Sequence, residues 1–189
     1  MTRKKTIDPE LVLDAAEIIL IEFGVQHFTL EAVAKRAKIS KGGLLYIFPK
    51  KDQLILAMLD REVSRFSAEV LHNSEVHSED PHATLLGYIA TARSEDVSIA
   101  NKAANLMAAL IHAPAMLEPA RLFYLKMLGQ FDSQSIEGRR GRLAYLAVEG
   151  AFLLRALGLK AMTEDEWLGI LADAQDMYLD ATAPAEIPS

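Results

Sequence analysis

The sequence contains no cysteine, and that absence removes several chemistries at once: disulfide staples, a thiolate nucleophile, iron–sulfur ligation and cysteine-based zinc sites. Long apolar runs are missing as well. The most apolar windows, residues 106–117 and 143–159, are interrupted by His112 and Pro114 and by Glu149 and Arg155. A membrane-spanning helix needs about 20 apolar residues in a row, so none is expected. Asp8, Glu10, Asp14 and Glu17 break the only N-terminal stretch that resembles a signal-peptide core, and a cytoplasmic location follows as the expectation. Strand patterning is scarce too: no alternating apolar run bounded by hairpin turns occurs, which excludes a substantial sheet. There is no phosphate-binding glycine loop, dinucleotide fingerprint, zinc-protease helix or nucleophile elbow. No enzyme activity, cofactor or metal is expected. His72, His77 and His82 flank an acidic loop at five-residue spacing, which suits a solvated loop better than a set of metal ligands.

What remains is a chain of 189 residues, 51% hydrophobic, whose apolar residues recur in stripes of helical period. Val12, Ala15, Ala16, Ile19, Leu20 and Phe23 define a first helix that Gly24 should end. Thr29 stands as an N-cap before a second helix, and Ser40 before a third that stops ahead of Pro49. A fourth should run from Lys51 to about His72 with Leu54, Ile55, Met58, Leu59, Val63 and Phe66 as its buried stripe. Further helices are expected near 82–94, 96–112, 117–132, 138–158 and 164–181. The reading is an all-α chain of about nine helices.

Net charge is −6, which at first disfavours a polyanionic partner. The charge is unevenly placed. Residues 1–51 hold nine Lys and Arg against six Asp and Glu, a net +3, while the rest hold eleven against twenty, a net −9. Between residues 35 and 51 there are six basic residues and no acidic one. A run of charge is often only a solvated face. Here it lies across two short helices joined by a tight turn, and duplex affinity comes largely from phosphate contacts and the counterions they release. Gly42 and Gly43, each costing about 1 kcal/mol in a helix relative to alanine, make sense in the third helix's first turn if another backbone must approach. Tyr46 follows Gly42 by one turn, with a phenol able to reach a phosphate.

The stretch from Phe28 to Leu54, with Phe28-Thr29, Ala34-Lys35-Arg36-Ala37, Ser40-Lys41-Gly42-Gly43, Tyr46, Phe48 and Lys51 at their spacings, resembles the tetracycline-repressor-like (TetR) bacterial transcriptional regulators. The likeness covers roughly residues 8–60. It implies a three-helix helix-turn-helix head, residues 1–51, and a larger helical effector-binding and dimerisation domain, residues 52–189. It also implies DNA contacts from Thr29, Lys38, Ser40, Lys41, Gly42, Gly43, Tyr46, Lys50 and Lys51. Several positions depart from the family pattern. Gly43 replaces a common hydroxyl residue, Leu45 a frequent tyrosine and Ile47 a common histidine. Lys38 takes the turn's usual glycine, so either that residue avoids positive φ or lysine tolerates it. The departures suggest an altered operator preference with binding retained.

Two symmetric recognition helices about 34 Å apart read a palindrome, so a homodimer is expected. The best candidate surface is the 143–159 helix, with Leu146, Ala147, Gly150, Leu153, Leu154 and Leu157, joined by Trp167, Leu171 and Tyr178 of the last helix. A helix apolar all round must be covered on several sides, although an internal core helix would also satisfy that. Met107, His112, Met116, Phe123, Tyr124 and Met127 have the soft, mostly apolar content of a pocket for a small-molecule effector. By the family likeness, that effector would move the fourth helix and release a repressor from double-stranded DNA. The competing readings are a helical interaction protein without DNA binding and a small helical enzyme.

Overall fold

The computed structural model describes residues 7–74, 80–109 and 114–182. Among them it holds nine α-helices, one 3-10 turn and no strand. They are α1 (Pro9–His27), α2 (Leu30–Arg36), α3 (Lys41–Ile47), α4 (Lys51–Asn73), α5 (Pro81–Ser94), α6 (Val97–Ala109), α7 (Glu118–Gly129), α8 (Ile136–Ala156) and α9 (Glu164–Thr182), with the 3-10 turn at Pro114–Leu117. No described helix is long and apolar enough to cross a membrane.

Local chemistry sets most of the boundaries. The Thr29 hydroxyl accepts from the Ala32 amide at 3.1 Å, and Ser40 accepts from Gly43 at 3.0 Å. Asp80 caps α5 with Pro81 in its first turn, and Ser135 caps α8. Thr163 and Glu166 form a reciprocal capping box at α9: the Thr163 amide donates to Glu166 at 3.0 Å and the Glu166 amide to Thr163 at 3.2 Å. Gly24 breaks α1 where its sequence suggests: its φ 72° and ψ 177° are not helical, a conformation that glycine enters freely, and only a short turn to His27 follows the kink.

The chain forms two compact units. One comprises Met1–Glu62 and Lys102–Ala120, the other Val63–Asn101 and Arg121–Ser189. The division between these units falls inside α4, where Leu54, Ile55, Met58 and Leu59 are buried on a stretch belonging to the first unit. That unit also buries Val12, Ala16, Val33, Leu44 and Leu106. Acidic residues of α1 converge on α4: Arg61 reaches Glu10, Asp14 and Glu17 at 2.8–3.1 Å. From α6, Lys102 adds a buried link to Glu17 at 3.1 Å and Glu62 at 2.5 Å. The second unit packs α5, α8 and α9 around Leu85, Tyr88, Ile89, Tyr145, Val148, Trp167, Leu171 and Tyr178. A fully buried side chain of this size contributes about 1.5–3 kcal/mol.

Candidate functional site

The turn between α2 and α3 is built by a lysine in glycine's place. Lys38 has φ 56°; its amide donates to Lys35 at 3.2 Å and the Ile39 amide to Ala34 at 3.0 Å. This is the paired closure of a Schellman motif, and it leaves the Lys38 side chain exposed. The two capping hydroxyls use a lone pair on the helix amides, so their O–H groups remain able to donate. On α3, Tyr46 is 89% exposed. A Cβ built at Gly42 would meet nothing within 4 Å, leaving open space for an approaching backbone. Gly43 differs. A Cβ there would come within 2.6 Å of the Ile7 side chain and 3.2 Å of the Ser40 hydroxyl, so its missing side chain makes room for Ile7.

The cations are held to different degrees. Lys41 pairs with Glu31 at 2.6 Å on the surface, and this hydrogen bond lowers the Glu31 pKa. Exposed pairs of this kind contribute little to stability, so a phosphate can compete for the ammonium. Lys51 lies 5.3 Å from the centroid of the Phe28 ring, a cation–π contact that steadies it at the start of α4. Lys50 is exposed. A short helix thus presents a phenol and an uncovered backbone, flanked by ammonium groups and donor hydroxyls. Such a surface suits a phosphate backbone and the groove beside it.

Comparison with known proteins agrees with this geometry. The family described as bacterial regulatory proteins, tetR family, matches residues 12–58, and the tetracyclin repressor-like C-terminal domain matches residues 82–178. The chain belongs to the TetR family. An uncharacterised helix-turn-helix-type transcriptional regulator of Mycobacterium tuberculosis is 25% identical over 180 residues, covering 92% of this chain and 86% of that protein. A transcriptional regulator from Rhodococcus sp. Rha1 superposes with a TM-score of 0.71 at 21% identity, covering 92% and 96% of the two chains. The multidrug binding protein EbrR, complexed with ethidium, superposes with a TM-score of 0.65 at 17% identity, covering 96% and 99%. This TetR-family protein is therefore a transcriptional regulator with an N-terminal DNA-binding domain and a C-terminal ligand-binding domain.

The residues expected to line an effector pocket fall in both units. Phe123, Tyr124 and Met127 lie in or against the core of the second unit. Met107 and Met116 belong to the first unit, and His112 lies outside the described residues. Among the described residues, no group of three or more His, Asp or Glu is placed to hold a metal ion; His77 falls outside them, and the His82 ring lies 5.2 Å from that of Tyr178.

Sequence reasoning missed Glu149, which it read only as an interruption of an apolar run. Its carboxylate is buried in the second unit. Tyr88 donates to one carboxylate oxygen, and Tyr124 donates to the other at 3.0 Å. Burial raises the Glu149 pKa, with the phenol hydrogen bonds opposing the rise. Burial and the neighbouring carboxylate raise the pKa values of Tyr88, Tyr124 and Tyr145. A lone glutamate in an apolar helix carried the signal, but its tyrosine partners are 61 and 25 residues away.

The residues expected at a dimer interface divide into two sets. Leu146, Ala147, Gly150, Leu153, Leu154 and Leu157 are all exposed, forming one stripe of α8 together with Leu143. Trp167, Leu171 and Tyr178 are instead buried in their own chain, at 4%, 0% and 1% exposure. They pack as the inward face of α9, with Arg155 placed 5.1 Å from the Trp167 ring centroid. Side chains already enclosed this way offer little surface to a second copy. The outward face of α9 carries Leu168, Gly169 and Ala172.

Proposed function

We propose that this regulator is a repressor that binds a palindromic operator as a homodimer and is released by a small, largely apolar effector. The observation that carries the reading is the outer side of α3: Tyr46 almost fully exposed, Gly42 open to a close approach, and Lys41, Lys50 and Lys51 nearby in sequence. Thr29, Lys38 and Ser40 add donors from the same head. The exposed leucines of α8 supply the surface that a symmetric pair requires. EbrR's ethidium complex supports an organic ligand in the C-terminal domain.

The test uses a palindromic duplex selected by the wild-type chain from random sequences. Tyr46→Phe should weaken binding, and Lys51→Ala should weaken it while lowering the log–log salt slope by about one, both with unchanged helicity. Affinity and slope left at wild-type values in both variants would dismiss the assignment. Cytoplasmic expression beside its operator completes the expected setting.

A further inference from the structure

We infer that Glu149, Tyr88 and Tyr124, with Tyr145 beside them, form a receptor for an organic cation: a protonated amine or quaternary ammonium on an apolar body. The inference rests on the second unit being the effector-binding part, and it specifies the effector's charge.

Glu149 is only 9% exposed, yet among the described residues no lysine, arginine or histidine pairs with it. The same chain compensates its other buried charges directly, as Lys102 does with Glu17 and Glu62. Around Glu149 it supplies neutral phenols instead. Each donates a hydrogen bond and brings no positive charge, so the carboxylate is oriented without a counter-charge. Burial disfavours the anion, as the direction of its pKa shows. A carboxylate kept in this state costs stability that a glutamine or an apolar residue would not, unless a ligand supplies the counter-charge.

The surroundings favour a particular kind of counter-charge. Tyr88 and Tyr145 have ring centroids 4.9 Å apart, and Phe66 lies 5.6 Å from Tyr88 and 5.9 Å from Phe123. Phe123 in turn lies 5.7 Å from Tyr124. These faces attract cations and accommodate hydrocarbon at once. A small hard metal ion would want several oxygens from charged ligands, and an anion would be repelled. The Tyr145 phenol is buried beside the same carboxylate and helps to hold it, adding a third neutral phenol to the cluster. Phe66, Phe123 and Tyr124 are only half-buried, so the cluster is not sealed.

The experiment is calorimetry on the full chain with two shape-matched pairs of different size, each pair differing in charge. The first pair is tetraphenylphosphonium against tetraphenylborate, and the second is benzyltrimethylammonium against its neutral carbon analogue neopentylbenzene. At least one cation should bind saturably and more tightly than its counterpart. Glu149→Gln should weaken that cation tenfold or more, equivalent to about 1.4 kcal/mol, with circular dichroism and thermal unfolding reporting the fold. Should that variant fold poorly, Tyr124→Phe retains the carboxylate and should weaken the same cation severalfold. The inference fails if neither cation binds, if the counterparts bind equally well, or if binding survives both substitutions unchanged. Operator release by the bound cation is scored separately on the wild-type chain. Binding without release overturns the repressor-release reading and leaves this one standing.

Discussion

Lys38 and Gly158 hold the same backbone conformation at the ends of different helices, with φ 56° and 66°. Each closes a Schellman motif, the second through Gly158 to Arg155 and Leu159 to Leu154. Glycine enters this region freely, whereas an L side chain costs about 1–2 kcal/mol there. The head therefore carries strain in the turn that sets the recognition helix, and it gains a cation at that point. Lys38→Gly should raise unfolding stability by about 1 kcal/mol in a urea titration while weakening operator binding at low salt. A stability unchanged or lowered would show that the turn is relaxed as it stands. Thr29 and Ser40 were legible as caps because capping acts over three residues. The Lys41–Glu31 pair was not, since it joins residues ten apart across that turn. Nor was the role of Gly43, which depends on Ile7 lying beside it.

At the scale of the element, α8 is a helix with two apolar faces. Gly141, Ala144, Tyr145, Val148 and Ala151 face inward; Leu143, Leu146, Gly150, Leu153 and Leu157 face outward. Their spacings are equally helical, so periodicity shows that both faces need cover and cannot say which its own chain provides. In α9 the same ambiguity misplaced Trp167, Leu171 and Tyr178, whose bulk suggested an interface and whose positions turn out to be internal. The division follows from which stripe of α9 meets α5 and α8. The outward α8 stripe yields a direct expectation: Leu153→Glu places a charge on the proposed interface with little effect on the monomer's core. Sedimentation should then report monomers with weakened operator binding, and a dimer of wild-type affinity would contradict the interface.

Across the whole molecule, charge is distributed by purpose. The net −6 does not oppose DNA binding, because the head alone is positive. Within the first unit, Lys102 draws α6 onto Glu17 of α1 and Glu62 of α4, with side-chain exposures of 6%, 24% and 5%. Breaking a buried pair strands its partner's charge, at a cost of about 3–5 kcal/mol. Lys102→Ala should lower stability on that scale in denaturant unfolding, far more than the surface change Lys41→Ala. Equal effects would mean that the network is solvated and weak.

The amino-acid sequence by itself determined the helical class, most helix starts, the recognition turn and the family, because capping, period and short-range spacing act within a few residues. Tertiary structure alone decided which apolar stripe is core and which is free, how Lys102 links three helices, and that Glu149 meets tyrosines from α5 and α7. Those outcomes depend on residues tens of positions apart being brought within hydrogen-bonding or packing distance. Only the packing of the helices supplies that proximity.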